Sequence, residues 1–580
     1  MKNKNIFEKS LSLIQNKKQF YFLLFLSLIG VFVELLSIAI VIPVVVFLIE
    51  QNPLEKFQFL EPIFNFLSIS NKKEVLVFSL CLIIIVYFFR YLYLIFLNYY
   101  KNIFSYNLSL NIKKDLTEKY LSQKYSYFFN ENSSRLIKNI IVEASHFTNS
   151  AIDRIFYIFI DSFVISIVLI SLIFFESGIS LVIAGFLCLI GFILNSFSKG
   201  RILKWGNLRF NLDQDFMKFL LEIFNSVREI KVYNKKNFFV NSFIKKYSPL
   251  GYLSIKQQTF NIFIKQSYEV ITLFGFCALV FYLFSQNYSN KEILTIIGIF
   301  AIAAFRLLPL FSRLLLGLQE LKYYFPSINH LYAEFYELNN NIQSINSSNQ
   351  FKNLQIKNNF EIKNINFSYD KKKKILDDLN LNINKFDKIG IFGKSGSGKS
   401  TFVDMVFGLI TPDNGSIYID NKKLNNHEDI FNYKMGYVSQ NPYLLDTTVK
   451  RNIAFGQNDE EINEDLVLKS LEIVQMKDWL NNTKNGLETI IGENGKMVSG
   501  GERQRIGIAR TLYYQTEFIL LDEPTSSLDM ETSKKIIDIL EKLENKTIIL
   551  ISHQKNNLSI CNKVYEMKNG KLILDEKNKN

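Results

Sequence analysis

The chain has 580 residues, 48% of them apolar and 15% aromatic, and a formal charge of +13. That length exceeds one domain, and the first half is too apolar for a soluble protein, so a single globular domain is excluded. The basic excess lies mainly in two polar segments, 98–150 and 197–260. This is the positive-inside asymmetry of a membrane protein, and it calls for no nucleic acid partner.

In chain order, a basic N-terminus, MKNKNIFEKSLSLIQNKK, precedes six apolar segments of spanning length. They lie near Phe20–Ile49, Val75–Leu97, Ile152–Phe174, Ile179–Ser196, Asn261–Ser285 and Leu294–Leu318. The first is too long for a signal peptide, so the N-terminus is expected to stay in the cytoplasm, and Pro43 is expected to kink or end that span. The segment PLEKFQFLEPIFNFLSIS has amphipathic character and is expected outside, along the membrane surface. Segments 98–150 and 197–260 are too long for plain connectors and read as helix, so the spans should extend into the cytoplasm. Cys81, Cys188, Cys277 and Cys561 form no CxxC pair and read as small core residues.

An Asn- and Ser-rich stretch, Glu337–Gln350, separates the halves. The expected organisation is an all-α transmembrane domain over 1–336, a linker over 337–355 and an α/β P-loop domain over 356–577.

The second half carries nucleotide chemistry. A buried strand, KIGIF (Lys388–Phe392), runs into Gly393-Lys394-Ser395-Gly396-Ser397-Gly398-Lys399-Ser400-Thr401 and then an apolar helix. This is the phosphate-cradling loop in its strand–loop–helix context. Its backbone N–H groups can surround phosphates, Lys399 brings a point charge and the Ser400 hydroxyl suits Mg²⁺. A second strand, Phe518–Leu521, ends in Asp522-Glu523. A strand-end aspartate suits the Mg²⁺ shell, and Glu523 can polarise an attacking water.

Between them, Val498-Ser499-Gly500-Gly501-Glu502 opens a helix. Here the chain resembles an ABC transporter, whose signature motif this is, with Val498 and Glu502 departing from the usual LSGGQ. The resemblance implies that Ser499, Gly500, Gly501 and Glu502 meet ATP held by a partner domain. It further implies that Tyr369 stacks on adenine, Gln440 reaches Mg²⁺ and water, Asp529 couples the two sites and His553 contacts the γ-phosphate. One such domain per chain implies a dimer, and the presence of Glu523 and His553 implies a homodimer with two competent sites. Membrane helices first and one nucleotide domain second is the exporter arrangement, which speaks against an importer. In that type, Tyr125–Asn130 and the region around Tyr233–Phe238 fall where coupling helices lie.

The cargo must be read from the membrane half. Arg90, Lys265, Arg306 and Arg313 lie in or at apolar spans, where cations are costly and usually mark a substrate path. Arg306 lies about 18 Å into the last span, near the midplane. As bland alternatives, Lys265 can pair with Glu269, Arg313 can snorkel to the head groups, and Glu34 and Asp161 can pair with Arg90 or Arg306. A belt of guanidinium forks suits phosphate oxygens. The stretches VELLSIAIVIPVVVFL, IIVYFFRYLY and IAAFRLLPLFSRLL are similar to the bacterial flippases of lipid-linked oligosaccharides, with Lys265 in place of an arginine. The expected function is ATP- and Mg²⁺-dependent flipping of a polyprenyl-pyrophosphate-linked glycan across the bacterial inner membrane. Export of lipid A or another glycolipid, or of hydrophobic drugs or peptides, is the alternative. An ATP-binding regulator or channel is a further class, against which the intact Glu523 and His553 speak.

Overall fold

The apolar spans continue as helix well past the length a bilayer needs. In the computed structural model, residues 6–41, 72–175, 177–285, 290–341, 353–369, 373–526 and 528–575 are described. The chain divides into two compact units, Met1–Gln123 with Phe128–Gln343, and Lys124–Tyr127 with Ser344–Asn580.

In the first unit a short helix α1 (Ile6–Leu13) precedes α2 (Lys17–Ala39). Then come α3 (Lys72–Leu121), α4 (Tyr125–Asn130) and α5 (Ser133–Lys138). Two π-helical stretches, Asn139–Glu143 and His146–Ile152, lead into α6 (Asp153–Phe175). There follow α7 (Ser177–Asn225), α8 (Val227–Val232), α9 (Lys236–Ser285) and α10 (Asn290–Asn341). At 50 residues α3 is about 75 Å long, more than twice the hydrocarbon thickness. Among the described residues six helices are long and apolar enough to cross a membrane, as expected, and the extended inner helices are also found.

The core of this unit lies where α6, α9 and α10 meet, around Val164, Ile264, Tyr268, Leu283 and Leu315. Elsewhere large apolar side chains stay exposed, such as Ile84 at 69% and Phe89 at 63%, as a lipid-facing surface requires. The same logic corrects the reading of the cysteines. Cys81, Cys188 and Cys277 are exposed rather than core, because an apolar residue on a spanning helix need not be buried. α2 ends at Ala39; Pro43 and the segment PLEKFQFLEPIFNFLSIS lie outside the described residues. α10 runs to Asn341, past Glu337 where the linker was expected to begin. A run of asparagines weakens a helix but does not end it as proline would.

The second unit has two sheets. An antiparallel one, ordered β2-β1-β4-β5, comprises β1 (Asn359–Phe367), β2 (Leu376–Asn384), β4 (Asn414–Ile419) and β5 (Lys422–Lys423). The other, ordered β10-β9-β3-β8-β7-β6, has β3 (Lys388–Phe392) at its centre. With it run β6 (Met435–Val438), β7 (Phe518–Asp522), β8 (Thr547–Ile551), β9 (Lys563–Lys568) and β10 (Lys571–Leu574). β3, β6, β7, β8 and β9 are parallel, and β10 closes the edge antiparallel to β9. β7 and β8 are almost entirely buried, matching their continuous apolar sequences FILL and TIILI. The helices are α11 (Lys399–Val406), α12 (Val449–Ile453), α13 (Glu464–Ile473), α14 (Lys477–Asn481), α15 (Gly500–Tyr513) and α16 (Met530–Glu541). Phe402 and Val406 of α11 pack with Ile389 and Ile391 of β3, which fixes the loop between them.

Candidate functional site

The phosphate loop sits where a parallel sheet's central strand meets a helix N-terminus, a position suited to anions. Gly398 at the N-cap of α11 has φ +108°, a left-handed conformation that a side chain at this position would strain. Lys399 folds back over the loop, donating to the carbonyls of Gly393 (2.9 Å) and Lys394 (3.2 Å). Burial lowers its pKa, against the pull of Glu523 and Asp522. The Ser397 hydroxyl is buried with no hydrogen-bond partner among the described residues. Such a loop, holding an ammonium and an unsatisfied hydroxyl, fits phosphate oxygens.

β7 delivers the carboxylates. Glu523, just past its end, has φ +50°, a strained conformation for a non-glycine residue. Its backbone N–H donates to Ile551, pinning it to β8. One Glu523 oxygen lies 2.7 Å from His553 Nε2 and 3.9 Å from Lys399 Nζ. The other accepts from Gln440 Nε2 at 3.3 Å. Gln440 also donates to Ser526 Oγ at 3.0 Å, so its amide oxygen is the atom left for a cation. Burial, with Glu523 next to it, pushes Asp522 up to about 6.

Among the described residues no cluster of His, Cys, Asp and Glu could cage a metal. Ser400, Gln440 and Asp522 offer hard oxygen donors, which fits a Mg²⁺ that arrives with phosphates rather than one held by protein alone. Tyr369 lies beside the loop, its hydroxyl 3.4 Å from Thr401 Oγ1. Ser499 caps α15 by accepting from the Glu502 N–H, and the Glu502 carboxylate accepts from the Ser499 N–H at 2.8 Å. Glu502, the departure from the usual glutamine, therefore completes a capping box. Asp529 likewise caps α16, accepting from the Thr532 N–H at 3.0 Å.

Two residues were missed in the sequence. Gln504 donates to the Gln440 carbonyl at 2.5 Å and so holds that loop; its place in the signature stretch was the available signal. Asp404, one turn beyond Ser400 on α11, is pushed up to about 6 by burial and by Asp522. Its spacing on the phosphate-loop helix could have revealed it.

In the membrane half the four cations all have carboxylate partners. Arg90 and Arg306 reach the same oxygen of Glu34, the former at 3.2 Å. Arg313 is bidentate to Asp161, with Nε 2.7 Å from Oδ2. Lys265 stands 3.8 Å from Glu269, apart from the arginines and about half exposed. Glu34, Arg90, Arg313, Lys101 and Tyr157 line one cavity of about 170 Å³. The Nε atoms of Arg90 and Arg306 are buried without a hydrogen-bond partner among the described residues. Three guanidiniums face two carboxylates here, so the cluster keeps one excess positive charge and unsatisfied donors. The expected short helix Tyr125–Asn130 is α4, whereas Tyr233–Phe238 is a turn leading into α9, with α8 just before it.

Comparison with known proteins adds an independent line. The family profile described as the ABC transporter transmembrane region matches residues 20–307, and the one described as ABC transporter matches 376–526. An ATP-dependent lipid A-core flippase of Wigglesworthia glossinidia brevipalpis is 35% identical over 37% of this chain and 37% of its own length. The glutathione/L-cysteine transport system ATP-binding/permease protein CydD of Bacillus subtilis is 28% identical over 59% of each chain. The matches take in from 17% to 59% of the curated relatives' own lengths. The structure of a bacterial Atm1-family ABC exporter with ATP bound superposes with a TM-score of 0.73 at 16% identity, covering 96% of this chain and 94% of that one.

Proposed function

Because the chain belongs to the ABC transporter family, with its membrane region and its ATPase domain on one polypeptide, we propose that it is an ATP-driven exporter. It carries a phosphate-bearing glycolipid from the inner to the outer leaflet of the bacterial inner membrane, working as a homodimer. The observation that carries the cargo reading is the arginine cluster of the membrane region, three guanidiniums against two carboxylates, of which Arg90, Arg313 and Glu34 line a cavity. A phosphate competes with Glu34 for Arg90 and Arg306, offering several oxygens where Glu34 engages both through one. An apolar cavity of about 930 Å³ between α7, α9 and α10, lined by Phe186, Gly275 and Leu307 among others, offers room for hydrocarbon.

In the nucleotide site Lys399 holds the β- and γ-phosphates, and Tyr369 takes the adenine. Glu523 accepts a proton from the attacking water, with His553 and Gln440 fixing its carboxylate. Ser400, Gln440 and Asp522 hold Mg²⁺, which neutralises phosphate charge when bound. Ser499, Gly500, Gly501 and Glu502 of one subunit close on the nucleotide of the other, and Asp529 couples the two sites. ATP binding turns the cavity outward and hydrolysis resets it.

Among phosphorylated glycolipids, the lipid A type is favoured by the relatives named for it. The lipid-linked oligosaccharide reading rests on the membrane-half stretches around Arg90 and Arg306. Lipid stimulation of ATP hydrolysis in nanodiscs tests the class. Phosphorylated lipid A or a polyprenyl-diphosphate glycan should stimulate, and their dephosphorylated forms should not. Equal stimulation by a neutral hydrophobic drug would contradict a phosphate-reading cavity.

A further inference from the structure

A second cavity, of about 550 Å³, adjoins the arginine pocket on the side towards the C-terminal end of α3. Asn102, Ser105, Tyr106, Ser109, Leu110 and Lys113 of α3 line it, with Asn149 and Asp153 opposite. Residues of the two cavities stand one helical turn apart, Asn98 from Asn102, Lys101 from Ser105 and Tyr157 from Asp153. Between them the Lys101 ammonium lies 3.8 Å from the Asp153 carboxylate and donates to the Tyr157 hydroxyl at 3.0 Å. The Tyr157 ring also carries the Arg313 guanidinium, 5.3 Å from its centroid. Cationic chemistry therefore runs from the arginines to the rim of the second cavity, where amides and hydroxyls follow, with Lys113 at the far end.

Leu110 and Lys113 stand at the end away from the arginines, and the rest of the lining is of amides and hydroxyls, which suit a sugar better than hydrocarbon. An apolar chain would leave the amides and hydroxyls unsatisfied, at a cost for each. Side-chain amides and hydroxyls both donate and accept, as sugar hydroxyls do. Asp153 Oδ1 is buried and, among the described residues, has only the Lys101 ammonium near it, at 3.8 Å, which leaves it room to accept from a sugar hydroxyl. The Tyr106 ring is 66% exposed and offers a flat apolar face for a sugar ring. The positive-inside reading puts this end of α3 on the cytoplasmic side, where a head group beyond the phosphate would lie.

We propose that this second cavity is a carbohydrate subsite, holding the sugar next to the phosphate of the lipid cargo. The proposal rests on the reading of the arginine cavity as the phosphate seat. It makes the protein a reader of glycosylated lipid phosphates rather than of phosphorylated lipids at large.

The test is binding by the full-length protein in nanodiscs. One pair of probes is farnesyl diphosphate and farnesyl-diphospho-N-acetylglucosamine; the other is phosphatidic acid and lipid A. The sugar should tighten binding by about tenfold in at least one pair, the scale of one or two hydrogen bonds with ring contact. Tyr106→Ala and Asn102→Ala, both at exposed positions, should remove most of that gain while leaving the sugar-free probes unchanged. The pair that shows the gain identifies the cargo. Equal binding with and without sugar in both pairs, or variants that weaken all probes alike, would overturn the subsite. The phosphate reading fails separately, if Arg306→Ala leaves the affinity for farnesyl diphosphate unchanged.

Discussion

Arg90 and Arg306 meet at one carboxylate oxygen of Glu34, so removing that charge leaves two guanidiniums without their anion. Glu34→Gln keeps the size and still offers an oxygen, but no longer competes with a phosphate. It should tighten the binding of phosphorylated lipid by several-fold, measured as the lipid concentration for half-maximal ATPase stimulation. Weaker binding would mean that Glu34 organises the arginines instead of holding their place. In the nucleotide site, Asp404 and Asp522 are both raised to about 6. A carboxyl with a raised pKa favours the folded state fully below its unfolded value, near 3.8, and loses that contribution as the pH climbs through about 6. The nucleotide-free protein should therefore lose thermal stability between about pH 4 and pH 6. Asp404→Asn should flatten that slope in a thermal unfolding series; an unchanged slope would show that Asp404 is not the group responsible. The loop, the strand-end carboxylates and the capped signature helix were legible because each is local in sequence. Glu34 and Asp161 were legible as partners for Arg90 or Arg306, but Asp161 takes Arg313 instead; they meet across helices far apart in the chain, and apolar flanks carry no signal of which carboxylate pairs with which cation.

At the scale of elements, α7 and α10 approach closely at Gly206, where a Cβ would stand 2.3 Å from the Tyr323 carbonyl oxygen. Gly206→Ala should force the helices apart and cost about 1–3 kcal/mol, read as a fall of several degrees in the unfolding temperature in detergent. Gly200→Ala, on the same helix with nothing within 4 Å of its Cβ, should be neutral or mildly stabilising. A similar fall for both would mean that helix packing is not the cause. A second buried feature spans the first π-helical stretch, where Lys138 at the end of α5 and Glu143 pair at 3.0 Å with almost no exposure. Breaking that pair with Glu143→Ala should destabilise by about 3–5 kcal/mol, whereas replacing both partners with apolar residues should recover much of the loss. Spanning length and positive-inside charge made the six membrane helices legible. The π-helical insertions were not, since they depend on packing around Lys138 and Glu143 rather than on periodicity. The cysteines were misjudged for a related reason: in a bilayer an apolar flank says nothing about burial.

For the whole molecule, each chain supplies one complete nucleotide loop with its carboxylates and one signature helix, which is why the proposed function needs two copies. Membrane cavity and nucleotide centre make separable claims, one about what is carried and one about what drives it. Both are tested in proteoliposomes by following ATP-dependent flipping of lipid A and of a sugar-labelled polyprenyl-diphosphate lipid. Wild type should flip at least one of them. Glu523→Gln should bind ATP but lose hydrolysis and flipping by about a hundredfold or more. Arg306→Ala should lose flipping while basal ATP hydrolysis stays close to wild type. Healthy hydrolysis with no flipping of either lipid by the wild type, or equal loss of flipping and hydrolysis in Arg306→Ala, would contradict the account.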